Sequence, residues 1–307
     1  MVEKAEFTSK LYHPKYWLMW LGALLMRLTL FLPLRWQMKL GSALGRLTMR
    51  FAGSRTTTAK TNIRLCFPEL SAQQQQTLLQ QNFEETGKAI FDTVNAWWWS
   101  DEKIQQHMTI KGEEHVSQTL ENGQGVILFA VHCLPLEMGA RIFGQFNPGI
   151  GVYRPHNNPV MEYLQVKGRL RSNKGLVPKR DLRKMVKSLR NPDVIWYTAD
   201  QDFGPNTAVF IPFFGVEQAA TITGATTLAK LGKAKVLPFF VERNDQDTGY
   251  NIEILPALDN FPGENELEDA IRGNQIIEEL INRNRKQYMW LHRRFKTRPK
   301  DNPESLY

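Results

Sequence analysis

The sequence is poor in cysteine and, over its first fifth, in acidic residues. Its 307 residues include two cysteines, Cys66 and Cys133, which are far apart and lack the spacing of metal ligands. A disulfide scaffold or a zinc site therefore has little support, and a reducing, cytosol-facing location is expected. Internal repeats and low-complexity linkers are also missing. The composition, with 42% hydrophobic and 23% charged residues, is that of an ordinary globular protein.

No acidic residue occurs between Glu6 and Glu69, whereas ten lysines and arginines do. The chain as a whole carries a formal charge of +8, so the excess positive charge is regional. The most apolar run, residues 16–36, lies inside this basic stretch and approaches the roughly 20 residues that cross a bilayer. Because a DNA-binding surface would not normally be fused to a run of Trp and Leu, no nucleic-acid partner is expected.

The apolar run predicts a membrane-anchoring helix within residues 1–40, followed by one catalytic domain over residues 41–307. Arg27 interrupts the run, and a charge near the centre of a spanning helix costs about 2.5 to 3.5 kcal/mol. An amphipathic helix lying in the membrane plane and a buried globular helix are therefore the alternatives.

Short apolar strands alternate with helical stretches along the rest of the chain, which predicts an α/β fold. Ser71 with Gln74 three residues on has the pattern of a capping box, and predicts a helix running to about Trp98. A later helix is expected near residues 219–231 and another over 264–285. The predicted strands cover residues 125–131, 150–153, 194–199, 207–214 and 236–241.

His132 follows the strand at 125–131 immediately, and Glu137 lies five residues further on, in the first turns of the next helix. Active sites of α/β domains gather at such strand ends. A neutral imidazole can take a proton from a hydroxyl, and a carboxylate on its other nitrogen fixes the tautomer. The spacing alone is weak, because a structural histidine would also explain it.

The chain resembles the late acyltransferases of lipid A biosynthesis, most closely the lauroyl or palmitoleoyl branch. The resemblance covers nearly the whole chain, and such a collinear set of segments is highly specific. It is carried by HPKYWL at 13–18, NIRLCFP at 62–68, GIGVYRP at 149–155, GRLRSNK at 168–174, residues 196–204 and 212–221, and QYMWLHRRFKTRP at 287–299.

The resemblance implies a mixed central sheet flanked by helices, similar to the glycerolipid acyltransferases, on the cytoplasmic side of the inner membrane. It implies His132 and Glu137 as the catalytic dyad, with His132 as general base and Glu137 as its orienting partner. The implied donor is an acyl carrier protein thioester, and the acceptor is a tetraacylated lipid A precursor bearing two Kdo sugars. Transfer to a hydroxyl of an existing acyl chain needs no metal or organic cofactor.

Other residues near predicted strand ends are further candidates for the active site, with weaker support from the sequence. Cys133 could instead form a covalent acyl-enzyme, although a buried small hydrophobic residue also explains it. Asp200 and Asp202 follow the strand at 194–199 and predict polar site-lining residues or a plain loop, since two carboxylates do not make a metal site. The basic stretch at 167–190 would attract an anionic lipid or an acidic carrier protein. For substrate binding we select Arg154, Arg169 and Arg171, together with Asp200.

Two other functions remain open from the sequence. A glycerol-phosphate or lysophospholipid acyltransferase would share the dyad, but usually has an F-P-E-G type block downstream, which we do not find. A membrane-associated scaffold would use His132 only structurally, and would tolerate its replacement by alanine.

Overall fold

The computed structural model describes the backbone of residues 1–307 and every side chain except that of Thr207. Its helices are α1 (Trp17–Leu28), α2 (Leu34–Phe51), α3 (Gly53–Cys66), α4 (Ala72–Trp98), α5 (Asp101–Gln105), α6 (Glu113–Glu121), α7 (Leu136–Phe143), α8 (Pro159–Arg169), α9 (Leu182–Leu189), α10 (Gly224–Gly232) and α11 (Glu266–Arg283). Its strands are β1 (Met108–Lys111), β2 (Val126–Ala130), β3 (Gly149–Tyr153), β4 (Asn173–Pro178), β5 (Val194–Thr198), β6 (Ala208–Phe213), β7 (Val216–Ile222), β8 (Lys235–Arg243) and β9 (Tyr250–Ile254).

A seven-stranded mixed sheet in the order β1-β9-β8-β2-β5-β3-β4 forms the centre of the molecule. Only the β8–β9 pair within it is antiparallel among the described strand pairs. Every residue of the central strand β2 is buried, as expected for a parallel strand covered by helices on both faces. The predicted α/β class with a mixed central sheet is confirmed, and the carboxyl ends of β2, β5 and β3 meet at one edge.

Helix α4 begins as predicted. The Ser71 hydroxyl accepts a hydrogen bond from the Gln74 backbone N–H, and the Gln74 side chain accepts one from the Ser71 N–H. Along its length α4 packs against α2 at backbone contact distance. A Cβ on Gly45 would lie 2.0 Å from the Phe83 carbonyl oxygen, and one on Gly87 would lie 2.0 Å from the Gly41 oxygen. These glycines therefore allow the backbones of α2 and α4 to touch, whereas any larger side chain at either position would force the two helices apart.

The N-terminal apolar run does not form one long helix. It divides into the 12-residue α1, a 3-10 turn over Thr29–Phe31 and the start of α2 after Pro33. Proline removes a backbone donor and clashes with the preceding helical turn, so the helix ends before it. Twelve residues rise about 18 Å, well short of the roughly 30 Å hydrocarbon core. None of the described helices is long and apolar enough to cross a membrane, so the predicted spanning anchor is not supported.

Four strands were not predicted, and one predicted helix begins later than expected. Residues 216–222 are β7, paired antiparallel with β6, so the helix expected near 219–231 covers only Gly224–Gly232. The run VEQAATI begins with a β-branched residue and ends in two of them, which suits a strand. β4 lies within the basic stretch at 167–190, while β1 and β9 pair at the sheet edge. Thr207, the first residue of the predicted strand at 207–214, has a side chain outside the description.

Candidate active site

His132 lies at the carboxyl edge of the sheet, beside Asp200. β2 and β5 are parallel with Ala130 opposite Thr198, so the residues two positions beyond each strand are neighbours. The His132 ring Nδ1 lies 2.7 Å from Asp200 Oδ1, and the His132 backbone N–H donates to Asp200 Oδ2 at 3.1 Å. Two contacts to one carboxylate hold the imidazole in a single orientation.

Asp200 is fully buried and ionised. Its Oδ2 also accepts a hydrogen bond from the Tyr288 hydroxyl at 2.9 Å. Burial alone would raise the pKa of Asp200, but the His132 ring, the His132 backbone N–H and the Tyr288 hydroxyl together lower it below its ordinary value. An ionised carboxylate at Nδ1 requires the proton on that nitrogen, which leaves Nε2 as the basic atom. Nε2 lies 3.3 Å from the Thr198 hydroxyl.

The hydrogen bond predicted between Glu137 and His132 is not formed. The Glu137 carboxylate accepts hydrogen bonds from Nε and Nη2 of Arg169 and from the Trp97 indole N–H at 3.0 Å. Burial alone would raise the pKa of Glu137, but Arg169 and Trp97 lower it. Helix α7 directs Glu137 towards α4 and α8, whereas the parallel strand β5 brings Asp200 to the imidazole.

The three arginines selected for substrate binding have different surroundings. Arg169 is held by Glu137, and its neighbour Gly168 leaves room for Trp97, because a Cβ there would lie 2.3 Å from the indole. Arg171 donates from Nη1 to the Trp97 carbonyl oxygen at 2.9 Å. Arg154 is exposed and forms no side-chain hydrogen bond or ion pair with any residue that the structure describes. The structure therefore brings Arg169 and Arg171 together around Trp97 and leaves Arg154 apart from them.

Asp202 and Cys133 lie beside the His132–Asp200 pair and contact other parts of the chain. Asp202 accepts hydrogen bonds from the Thr297 N–H and hydroxyl, each at 2.8 Å, and from the Gly204 N–H at 2.9 Å. Cys133 is buried and forms a β-bridge with Tyr288. Burial raises the pKa of the Cys133 thiol, which disfavours the thiolate that a covalent mechanism would need.

A segment near the C-terminus, residues 287–297, completes the site and was not predicted to do so. The Leu134 N–H donates to the Gln287 carbonyl oxygen at 2.7 Å, and the Met289 N–H donates to that of His132 at 3.0 Å. Tyr288 donates a hydrogen bond to Asp200, and Thr297 donates two to Asp202. The segment therefore contacts the loop after β2, which carries His132, and the loop after β5, which carries Asp200. QYMWLHRRFKTRP marks the segment in the sequence, but nothing in its composition indicates that Tyr288 reaches a carboxylate.

His292 belongs to the same segment. Burial lowers the pKa of its imidazole to about 4, and the positive charge of Lys296 adds to this effect. His292 therefore stays neutral in mild acid, where an exposed histidine would become protonated.

Comparisons with known proteins place this geometry in a family. The model for the bacterial lipid A biosynthesis acyltransferases matches residues 4–297. The chain belongs to this family. It is similar to a lipid A biosynthesis lauroyltransferase of Escherichia coli K12, with 42% identity over 99% of both chains. It is also similar to a lipid A biosynthesis acyltransferase of Haemophilus influenzae, at 41% identity over 98% of this chain and 97% of the relative.

A lipid A biosynthesis palmitoleoyltransferase of Escherichia coli K12 is 36% identical over 97% of each chain. A 1-acyl-sn-glycerophosphate acyltransferase of Thermotoga maritima, known from its crystal structure, covers 81% of this chain and 98% of its own at 13% identity. The TM-score of that match is 0.37. As a lipid A biosynthesis acyltransferase, the protein is an enzyme, and the resemblance noted from the sequence is confirmed.

Proposed function

We propose that this acyltransferase moves a fatty acyl chain, laurate or palmitoleate, from acyl carrier protein to a hydroxyl of the Kdo-bearing tetraacyl lipid A precursor. The product is an acyloxyacyl group, formed during lipopolysaccharide biosynthesis. The observation that carries the proposal is the His132–Asp200 pair, with an ionised carboxylate on Nδ1 and a basic Nε2. The names of the relatives support lipid A as the acceptor class.

His132 acts as general base in this proposal. Its Nε2 takes the proton of the acceptor hydroxyl as the oxygen attacks the thioester carbonyl, and Asp200 stabilises the imidazolium that forms. The tetrahedral oxyanion then collapses, the C–S bond breaks and an ester C–O bond remains. The imidazolium returns its proton to the leaving thiolate, so the enzyme ends in its starting state.

Glu137 has a positioning role. Its carboxylate fixes Arg169 through Nε and Nη2, while Nη1 of Arg169 forms no hydrogen bond within the described part of the chain. A guanidinium held on one side presents its remaining N–H groups in a defined direction. We infer that Arg169 uses them on an oxygen of the substrate, and that Arg171 supports this wall through the Trp97 carbonyl.

The N-terminal helices are proposed to bind the cytoplasmic surface of the inner membrane. α1 and α2 expose large apolar side chains, among them Leu18 at 79% and Phe51 at 80%. Lys39 lies 5.0 Å from the ring of exposed Trp36, so cationic and aromatic groups share this surface. Apolar residues beside basic ones suit the interface of an anionic membrane.

An acyl-transfer assay tests the reaction. The membrane-associated enzyme is given a series of acyl carrier protein thioesters and the Kdo-bearing tetraacyl acceptor, and product mass is measured. Wild type should add one acyl chain, and His132→Ala should lower the rate by at least about 10³-fold. His115→Ala, a histidine change on α6, should leave the rate unaltered. Acylation of glycerol-phosphate lipids in place of this acceptor would identify the alternative enzyme class, and activity retained by His132→Ala would refute the mechanism.

A vesicle experiment tests the membrane proposal separately. Leu18→Ser should weaken co-sedimentation with vesicles containing anionic phospholipid, because burial of one leucine contributes about 1.5 to 3 kcal/mol. Leu267→Ser is the matched control, since this leucine is 46% exposed on α11. Equal losses for the two variants would contradict the proposal.

A further inference from the structure

Four cations lie at the sheet edge next to the active site, and they come from three parts of the chain. Arg154 directly follows β3 and Lys179 directly follows β4. These strands are parallel with Tyr153 opposite Pro178, and the Lys179 N–H donates to the Tyr153 carbonyl oxygen at 2.9 Å. The register therefore places Arg154 and Lys179 side by side, with Arg180 next in the chain.

Lys296 joins this group through the C-terminal segment. Its neighbour Thr297 holds Asp202 with two hydrogen bonds of 2.8 Å, while the Lys179 ammonium lies 4.8 Å from the ring centroid of Phe203. Lys179 and Lys296 thus flank the same dipeptide, Asp202 and Phe203. Asp200, which binds His132, is two residues away. The cationic cluster, defined as Arg154, Lys179, Arg180 and Lys296, therefore borders the catalytic pair.

The cluster is not neutralised by the protein. All four side chains are exposed, and within the described structure none of them forms a salt bridge. Two neighbouring carboxylates have other partners, because Asp202 accepts three hydrogen bonds and Asp181, next to Arg180 in the chain, pairs with Lys184 at 3.1 Å. Burial and then repulsion from the other three cations lower the pKa of Lys179. Like charges held together without a partner are stabilised when an anion binds between them.

We propose that the cationic cluster is the subsite for a multiply charged anionic group, a phosphate or sugar carboxylate, on the headgroup of the acceptor lipid. The inference rests on the proposed function, and it names the part of the site that receives the anionic headgroup. Four charges converge on one short edge beside the general base, which suits a compact group attached to the reacting molecule. Docking of an acidic carrier protein would instead use a wide surface of separated charges.

Phe203 supports this assignment. Its ring is 43% exposed and lies beneath the Lys179 ammonium, so it limits the positions of that side chain and offers an apolar face next to the charges. A sugar ring carrying an anionic substituent has both kinds of surface.

Steady-state kinetics with separate variation of donor and acceptor test the subsite. Lys179→Gln and Lys296→Gln should each raise the KM for the acceptor about tenfold, the usual effect of losing one charged hydrogen bond. The donor KM should change less than twofold. Lys187→Gln on α9 is the matched control, because it also removes an exposed lysine and should alter neither KM. A rise in the donor KM alone would show that the cluster binds the carrier protein instead. If neither KM changed, the proposed subsite would be refuted.

Binding of the acceptor to the His132→Ala variant separates this inference from the proposed reaction. The phosphorylated acceptor in detergent should bind about tenfold more tightly than its enzymatically dephosphorylated form, and Lys179→Gln in the same background should abolish the difference. Such a preference would support the subsite even if turnover of this acceptor failed. Equal affinity for the two forms, with inorganic phosphate unable to compete, would overturn the phosphate assignment.

Discussion

Two carboxylates follow the sheet edge at His132, Asp200 fully buried and Glu137 partly buried, and their partners differ in kind. Asp200 binds a titratable imidazole, with a tyrosine hydroxyl in support. Glu137 binds a permanently charged guanidinium, with an indole N–H in support. In both, the pKa is lowered below the ordinary value against the effect of burial. The comparison teaches that an ionised carboxylate in an active site can serve either proton transfer or the placement of a cation, according to its neighbour.

The largest effect is expected from Asp200→Asn. An asparagine of the same shape cannot stabilise an imidazolium and permits the wrong histidine tautomer, so kcat should fall about 10³-fold or more. The measurement is the acyl-transfer rate at saturating donor and acceptor, with circular dichroism to verify folding. A fall of less than about tenfold would remove the distinction between the two carboxylates.

Glu137→Gln should have a smaller effect, about 10- to 100-fold, because it acts through Arg169. A double-mutant cycle with Arg169→Gln sharpens the comparison. If Glu137 works by holding Arg169, the double variant should lose little more activity than either single variant. Additive losses would show that Glu137 acts on His132 directly, as the spacing in the sequence first suggested.

Tyr288→Phe removes one of the hydrogen bonds to Asp200 and leaves those from His132. The net value of such a bond is about 1 kcal/mol, which corresponds to a three- to tenfold fall in kcat. Tyr307→Phe is the control, since that hydroxyl donates to Asn62 and lies outside the Asp200 network. An unchanged rate in Tyr288→Phe would mean that His132 alone keeps Asp200 in place.

The smallest effect concerns acid unfolding, in which the two carboxylates should behave alike. Since each pKa is lower in the folded protein, each contributes stability that is present above the unfolded value, near pH 4, and is lost as the pH falls further. Chemical denaturation at pH 7 and at pH 3 should therefore show a smaller pH dependence in both Asp200→Asn and Glu137→Gln than in wild type. If only one variant showed a smaller pH dependence of the unfolding free energy, the two carboxylates would also differ in their contribution to stability.

Much of the fold could be predicted because its signals are local. The capping box at Ser71 determines where α4 begins, and the apolar run at 125–131 indicates a buried strand. The predicted spanning anchor is not supported, because the apolar run at 16–36 is divided between α1, a 3-10 turn and the start of α2 after Pro33. Residues 219–222 of β7 were assigned to a helix, because a hairpin strand is defined by its pairing with β6 and not by its own sequence alone.

The candidate site was predicted less completely. His132 was identified because it ends an apolar strand, and Asp200 was selected for the same reason after another strand. Their contact depends on the parallel register of β2 and β5, which no local pattern reveals. Glu137 has the right separation along the chain but projects from α7 towards Arg169. Contacts between residues 88 and 95 positions apart, Tyr288 with Asp200 and Thr297 with Asp202, were likewise invisible to reasoning from spacing.

The C-terminal segment also has a consequence for the order in which the enzyme matures. The ribosome adds roughly 5–20 residues per second, so residues 287–297 are made well after His132 and Asp200, and a domain generally folds as a unit. Asp200 therefore lacks its hydrogen bond from Tyr288 until most of the chain has been made. A nascent chain that already contains His132 therefore has an incomplete candidate site until residues 287–297 are in place.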